Sequence, residues 1–168
     1  MTDIFEIKAA TAEDTPLILS FIKELAEYEK LLHEVVATED TLKETLFGDK
    51  AYAEVVIGYL NQVPVSFALY FHNFSTFLGR PGIYLEDLFV KPEARGHGIG
   101  QKMLAYLAHL AKSRKCGRIE WWVLNWNETA IGFYKRIGAK PMDEWTVYRV
   151  TDQAFDNLAA SWENDSKL

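Results

Sequence analysis

The sequence predicts a mixed α/β fold in one domain, and three observations support this prediction. Apolar strand-like segments at residues 52–60 and 64–72 are separated by a short polar turn, which is typical of a hairpin. Later strand-like segments alternate with segments of helical periodicity, which indicates a sheet flanked by helices. The length of 168 residues is that of one domain, and no Pro/Gly-rich linker divides the chain.

Periodicity places the individual elements along the chain. Strands are predicted at residues 4–8, 52–60, 64–72, 83–90, 118–124 and 145–150. Helices are predicted after the N-cap Thr11, at 39–47, from Ile99 to about Ala111, at 128–137 after the N-cap Asn127, and from Thr151 to about residue 160. The domain is therefore expected to span residues 1–160, with 161–168 as a frayed tail.

Composition and charge exclude several classes of function. The net charge of -6 disfavours nucleic-acid binding, which calls for a basic face. No apolar run approaches the ~20 residues of a membrane-spanning helix, and the start of the chain does not resemble a signal peptide. The single cysteine, Cys116, fits a reducing compartment, so we expect a cytoplasmic protein. The histidines lack metal-ligand spacing, so no metal is expected.

The most informative segment is residues 95–100, Arg-Gly-His-Gly-Ile-Gly, which follows an apolar strand and opens an amphipathic helix. Unpaired N–H groups and the helix dipole at such a start suit a phosphate, and glycines permit its close approach. A dinucleotide fingerprint would need glycine at position 101, where the chain has Gln101. The Gly-Lys-Ser/Thr of a P-loop is also missing, so the phosphate belongs to another ligand.

The pattern R-x-x-G-x-G in this segment resembles the coenzyme A pyrophosphate loop of the GNAT acetyltransferase superfamily. Residues 84–90, Tyr-Leu-Glu-Asp-Leu-Phe-Val, resemble the strand before that loop. From Asn127 to Gly138 the chain resembles the later motif N-x-x-A-x-x-F-Y-x-x-x-G. Within the superfamily the sequence is most similar to the spermidine/spermine (diamine) and thialysine acetyltransferases, from about residue 22 to Trp145.

This resemblance implies a mostly antiparallel sheet that is splayed at the coenzyme site, with helices on both faces. It implies acetyl-CoA as cosubstrate, a small-molecule amine as acceptor, and a homodimer. The coenzyme-binding residues that the resemblance implies are Leu88, Phe89, Val90, Arg95, Gly96, His97, Gly98, Ile99, Gly100, Gln101, Asn127, Thr129, Ala130 and Tyr134.

Amide formation needs a neutral amine and a proton for the departing thiolate. An alkyl amine has a pKa near 10.4, so its neutral form costs about 4–5 kcal/mol at pH 7. Glu86 is the candidate general base, because a carboxylate at the end of the strand can take the proton directly or through water. The resemblance implies Tyr134 as the general acid, and a backbone N–H near residues 88–90 as the donor to the oxyanion.

Carboxylates and aromatic rings gather where the resemblance places the amine, and together they suit an ammonium chain. The implied substrate-binding residues are Tyr28, Glu29, Glu86, Asp87, Glu120, Trp121, Trp122, Glu144 and Trp145. The chain departs from the family at 77–79 and before Trp145, so a polyamine, thialysine or another amino-acid side chain, and a small amine-bearing drug all remain open as substrates. A non-catalytic coenzyme sensor and an acetyltransferase of protein amines are the alternative functions.

Overall fold

The computed structural model describes residues 2–165, which form two compact units, one up to Leu124 and one from Asn125. The first unit contains strands β1 to β5, which run over Phe5–Ala9, Glu54–Leu60, Val63–Ser75, Arg80–Val90 and Ile119–Trp121. It also contains helices α1 to α3, which run over Thr15–Tyr28, Glu39–Phe47 and Ile99–Ser113. The second unit contains α4, Glu128–Arg136, and α5, Asp152–Asp165.

One five-stranded sheet in the order β1-β2-β3-β4-β5 organises the first unit. The first three pairs are antiparallel, and only β4 and β5 are parallel, which confirms the predicted mixed, mostly antiparallel sheet. The predicted hairpin joins β2 to β3. Its turn residues Asn61 and Gln62 have φ angles of 50° and 69°, the left-handed conformation that matches the twist of two paired strands. Val63, which the sequence places in the turn, is instead the first residue of β3 and pairs with Leu60.

Helices cover the sheet on both faces. On one face, Phe21 of α1 stacks on Phe67 of β3 with 5.2 Å between ring centroids and meets Phe89 of β4 edge-on at 6.3 Å. Alternate residues such as Val56 and Ala68 point to the other face and are equally buried. Helix α3 packs against β3 and β4 and buries Ile99, Met103, Leu104, Leu107 and Ala111.

Local signals at the helix starts agree with the sequence, with one refinement. Thr11 forms the predicted capping box with Asp14, whose carboxylate accepts the Thr11 N–H at 2.7 Å. A single 3₁₀ turn, Ala12–Asp14, follows this cap, and α1 begins only at Thr15. Helix α2 spans the predicted residues 39–47 and is capped by Thr38.

The second unit corrects one prediction. Residues 145–150 belong to no strand and are exposed, so the predicted strand is wrong. Alternating apolar residues form a strand only where a neighbour supplies backbone hydrogen bonds, and among the described residues from 125 to 165 there is no strand. Helix α5 continues to Asp165, beyond the expected end near 160, while 166–168 lie outside the described residues. That residues 1–160 fold as one domain stays a prediction.

Arg114 ties the C-terminal end of α3 to two strands of the sheet. Its guanidinium donates to both carboxylate oxygens of Glu54 on β2, at 2.6 and 2.8 Å. It also donates to Nε2 of His72 on β3 at 3.0 Å, which leaves Nδ1 of His72 to donate to the Gly82 carbonyl. The hydrogen bonds from Arg114 lower the pKa of Glu54 below its ordinary value of 4.5.

None of the helices described between residues 2 and 165 is long and apolar enough to cross a membrane.

Replacing Glu54 with Gln should destabilise the first unit by ~0.5–1 kcal/mol at neutral pH, because the bidentate pair with Arg114 is lost at a partly exposed position. A carboxylate whose pKa is lowered on folding stabilises the protein above its unfolded pKa and loses that contribution as pH falls below about 4.5. Urea unfolding of both proteins at about pH 7 and about pH 3 measures this. If the free energy of unfolding differed between wild type and Glu54→Gln by the same amount at both pH values, the prediction would be contradicted. Glu6→Gln is the control, because Glu6 forms an exposed ion pair with Lys8.

Candidate active site

The site begins where the two parallel strands separate. Strand β5 pairs with β4 only from Ile83 to Leu85, and the predicted strand at 118–124 is shortened to Ile119–Trp121. Strand β4 continues to Val90 and stays paired with β3. Beyond Leu85, one edge of β4 therefore has no strand beside it in the described chain.

A β-bulge lies at the point of separation. Leu85 pairs with Tyr70 and Asp87 pairs with Leu69, so Glu86 is an extra residue without a partner on β3. Side chains of paired residues project from the same face of a sheet. Leu69 packs against the core under α1, so Asp87 shares that face, whereas Leu85 lies with Tyr70 on the opposite face. The bulge thus separates two consecutive carboxylates: Glu86 is exposed and Asp87 is half-buried.

Backbone N–H groups point out of the open edge of β4. The Ile83 N–H donates toward β5, to the Arg118 carbonyl at 3.1 Å, and the Lys91 N–H donates toward β3, to the Val65 carbonyl at 2.8 Å. Because successive N–H groups alternate along a strand, those of Leu88 and Val90 point away from β3. They are positioned to bind an extended ligand or an oxyanion at this edge.

The glycine loop forms the N-terminal end of α3. Gly96 and Gly98 have φ angles of 85° and 70°, and a Cβ at either would meet no protein atom within 4 Å. The conformation therefore needs glycine, and the space above the loop is open. The first hydrogen bond of α3 runs from the Lys102 N–H to the Gly98 carbonyl, so the N–H groups of residues 99–101 precede the helical ladder. These groups suit a pyrophosphate.

Arg95 and His97 hold the loop in place. Arg95 Nε donates to the Val90 carbonyl at 3.0 Å, and its guanidinium lies 4.9 Å from the Tyr28 ring and 5.7 Å from the Phe89 ring. Arg95 thereby joins α1, β4 and the loop. Nδ1 of His97 lies 3.2 Å from the carbonyls of Ala94 and Arg95, so the imidazole turns back onto its own loop.

Three carboxylates cluster beside the bulge. Burial raises the pKa of Glu29, at the end of α1, above its ordinary value. Burial, together with the charges of Glu86 and Glu29, raises the pKa of Asp87 to about 7. Burial and the charges of Glu86, Glu120 and Asp87 raise the pKa of Tyr84 to about 12, so this phenol stays protonated at neutral pH. This strongly negative surface suits a cation.

The structure places three further substrate-binding candidates, Glu120, Trp121 and Trp122, on β5 or directly after it. Glu120 already accepts hydrogen bonds from Arg118 at 2.9 Å and from Asn73 at 3.0 Å. Trp121 pairs with Leu85 in the sheet. Trp122 follows β5, is 59% exposed, and meets the Tyr84 ring edge-on at 5.7 Å. Glu120 is thus engaged within the fold, while the exposed face of Trp122 is accessible to a ligand.

The remaining candidates lie in the second unit. Asn127 caps α4 as predicted, since its side chain accepts the Ala130 N–H at 3.3 Å. The Ile131 N–H makes the first helical bond of α4, to the Asn127 carbonyl, so Thr129 lies in the first turn. Tyr134 is half-buried in α4 with its ring 5.6 Å from that of Phe133. Glu144 and Trp145 are exposed in the segment before α5.

Comparison with known protein families shows to which family this chain belongs. The acetyltransferase (GNAT) family matches residues 19–139, more than half of the chain and the whole of the glycine loop. The chain belongs to the GNAT family. GNAT proteins are acetyl-CoA-dependent acetyltransferases, so this protein is an N-acetyltransferase with acetyl-CoA as cosubstrate.

Three similar proteins match this chain along most of its length. Thialysine N-epsilon-acetyltransferase of Bos taurus is 37% identical over 91% of this chain and 96% of that protein. L-ornithine N5-acetyltransferase of Arabidopsis thaliana is 31% identical over 90% and 88%. Spermidine/spermine N(1)-acetyltransferase-like protein 1 of Homo sapiens is 32% identical over 96% of this chain but 24% of that longer protein.

A solved structure confirms the fold. An integron cassette protein from the mobile metagenome of V. cholerae superimposes with a TM-score of 0.77 and 31% identity, and the match covers 92% of this chain and 97% of that protein. The predicted GNAT-like α/β fold, with a mixed, mostly antiparallel sheet, is therefore confirmed.

Sequence reasoning missed the bulge at Glu86 and the different burial of the two carboxylates. The available signal was the pair Glu86-Asp87 inside an apolar strand, which breaks the alternation expected of a regular strand. Among the side chains described up to residue 162, no group of three or more could hold a metal ion.

Replacing Gly98 with Val should weaken coenzyme A binding by about tenfold or more, because the added side chain fills the space above the loop and the φ of 70° disfavours it. Gly79→Val is a matched control, since Gly79 has a φ of 62° and equally open surroundings in the β3–β4 turn. Calorimetric titration with coenzyme A measures both affinities. Equal affinities for wild type and Gly98→Val, with the fold intact, would refute the assignment of the loop.

Proposed function

We propose that this GNAT enzyme transfers the acetyl group of acetyl-CoA to a primary amine of a small cationic substrate of the polyamine or thialysine class. The observation that carries the proposal is the carboxylate cluster of Glu29, Glu86 and Asp87 beside the open edge of β4. This cluster would bind a cation next to β4, the strand whose N–H groups would hold the acetyl donor. The names of these relatives refer to acetylation of thialysine, ornithine, and spermidine or spermine, which are all amines, and this supports the same class.

We place the acetyl donor along β4 and the glycine loop. The N–H groups of residues 99–101 would bind the pyrophosphate, with the glycines at 96 and 98 leaving room for it. The Leu88 and Val90 N–H groups would hold the donor along the strand and stabilise the oxyanion that forms at the thioester carbonyl. When bound, the thioester supplies an activated acyl carbon. Thr129 and Ala130, in the first turn of α4, complete the proposed set of contacts.

We propose Tyr134 as the general acid that protonates the departing thiolate. A phenol with a pKa near 10 is matched to a thiolate whose conjugate acid has a pKa near 8.5. The residue belongs to the motif from Asn127 to Gly138, in which Asn127 fixes the start of α4. The sequence also predicts that Glu86 removes the proton of the amine, and its exposure beside the bulge makes it accessible to substrate.

Two further features enter the proposal. Exposed aromatic side chains in the second unit, including Trp145 at 75% and Tyr148 at 92%, favour association between copies, so we propose a homodimer. The single cysteine, Cys116, is a free thiol, which is compatible with the cytoplasmic location that we propose.

Tyr134→Phe should lower kcat by roughly 10²–10⁴-fold and leave coenzyme A affinity nearly unchanged, because the ring contact with Phe133 is kept while the proton donor is lost. Thiol release from coenzyme A gives kcat, and calorimetry gives the affinity. Tyr52→Phe, which changes an exposed tyrosine outside the proposed site and the proposed dimer surface, is the control. Wild-type turnover in Tyr134→Phe would show that another group or water protonates the thiolate.

Substrate affinity should rise with the number of ammonium groups at fixed chain length. Each contact with a partly exposed carboxylate adds ~0.5–1 kcal/mol, so a triamine should exceed a matched monoamine several-fold in kcat/KM. Salt at about 0.5 M should reduce this advantage relative to about 0.05 M, because it screens exposed charges.

A panel of spermidine, thialysine, ornithine and a monoamine at both salt concentrations measures this preference. A monoamine that equals the triamine would contradict the polycation assignment, and a clear preference for thialysine would favour amino-acid side chains. A protein that binds coenzyme A but acetylates no amine would be a sensor. Acetylation of peptides alone would indicate a protein acetyltransferase.

A further inference from the structure

The two carboxylates at the bulge differ in their surroundings. Glu86, the unpaired residue of the bulge, is exposed to water. Asp87 lies opposite Leu69, on the face where α1 covers the sheet, and is half-buried. It is also the residue directly before Leu88, whose N–H points out of the open edge. Asp87 is thus placed beside the proposed position of the thioester carbonyl and is partly shielded from solvent.

Titratable groups act on Asp87 from its own strand and from α1, while β3 places the apolar Leu69 opposite it. Glu86 and Tyr84 lie on its own strand, and Glu29 faces it from the end of α1. Two cations on this side of the sheet have other partners. Lys91 lies 3.8 Å from Glu24, and Arg95 donates to the Val90 carbonyl while stacking on Tyr28 and Phe89. The influences that shift the titration of Asp87 are burial and two negative charges.

The sequence predicts Glu86 as the general base, but from this geometry we propose that Asp87 instead accepts the proton that the substrate ammonium must lose before it attacks the thioester. The inference rests on the proposed function, since it assigns a step of that reaction. Glu86 keeps a different role: it contacts the incoming cation, and its negative charge strengthens Asp87 as a base.

The protons of the reaction balance with this assignment. The ammonium carries three protons, and Asp87 takes the first, which leaves a neutral amine. The amine nitrogen then bonds to the acyl carbon, and the carbon–sulfur bond breaks. Tyr134 gives its proton to the thiolate and recovers the second proton from nitrogen. The third stays on the amide, and Asp87 later releases its proton to water.

The surroundings of Asp87 make this step easier than it is for an ordinary aspartate. A primary ammonium has a pKa near 10.4, far above the ordinary aspartate value of 3.8. With the Asp87 pKa at about 7, transfer to its carboxylate is about 10³-fold more favourable than to an unperturbed one. The carboxylate form still predominates just above neutral pH, so the base is available.

The test compares the pH dependence of kcat/KM for wild type, Asp87→Asn and Glu86→Gln between about pH 5.5 and 9, with one amine at constant ionic strength. The titration of the amine is common to all three proteins and cancels in the ratio of wild type to variant. In Asp87→Asn, kcat/KM should fall by roughly 10²–10³-fold near pH 8, and its ratio to wild type should show a titration near pH 7. Calorimetric titration with coenzyme A verifies that each variant is folded.

Glu86→Gln separates the two carboxylates. If Asp87 accepts the proton, kcat/KM of Glu86→Gln still falls as the pH is lowered. The fall occurs at lower pH than in wild type, because the charge of Glu86 that raises the Asp87 pKa has been removed. If the fall of kcat/KM at low pH disappears in Glu86→Gln and persists in Asp87→Asn, the inference is overturned and the proposed function still stands. Should Asp87→Asn not fold, Glu86→Gln decides alone. A wild-type protein that acetylates no amine overturns the proposed function itself.

Discussion

The hydrogen-bonded pairing of β4 with β5 stops at Leu85, and the candidate site depends on that stop. If the two strands stayed paired to Val90, the N–H groups of Leu88 and Val90 would be used inside the sheet. Because β5 ends at Trp121, no strand of the described chain pairs with these groups. The bulge at Glu86 occurs at the same point and sets which way they face. One irregularity thus opens the strand edge and turns its polar groups outward.

The same packing that stabilises the fold sets the chemistry of the carboxylates. Helix α1 covers the sheet through Phe21, Phe67 and Phe89, and this cover partly removes Asp87 from water. Desolvation disfavours the charged form of a carboxylate, so burial beside the core raises the pKa of Asp87. Arg95 extends this cover to the glycine loop by stacking on Tyr28 and Phe89. The glycine loop and the acidic cluster therefore share one structural support.

Sequence reasoning succeeded where the signal is local. The cap at Thr11, helix α2, the turn at Asn61-Gln62 and the cap at Asn127 each follow from a few neighbouring residues, and the structure confirms them. It failed at residues 145–150, where apolar alternation suggested a strand that has no neighbour to pair with. It also placed Glu120 in the substrate set without foreseeing that Arg118 and Asn73 engage its carboxylate.

The sequence by itself determined the fold class, the glycine loop and the family, because motif order and glycine positions are written along the chain. It also placed Glu86 and Asp87 together, but it could not distinguish them. Only the tertiary structure decided that one is exposed and the other half-buried. The physical reason is that register and burial are set by long-range pairing: Leu69 and Glu29, which give Asp87 its surroundings, are distant in sequence and meet it only in the folded sheet.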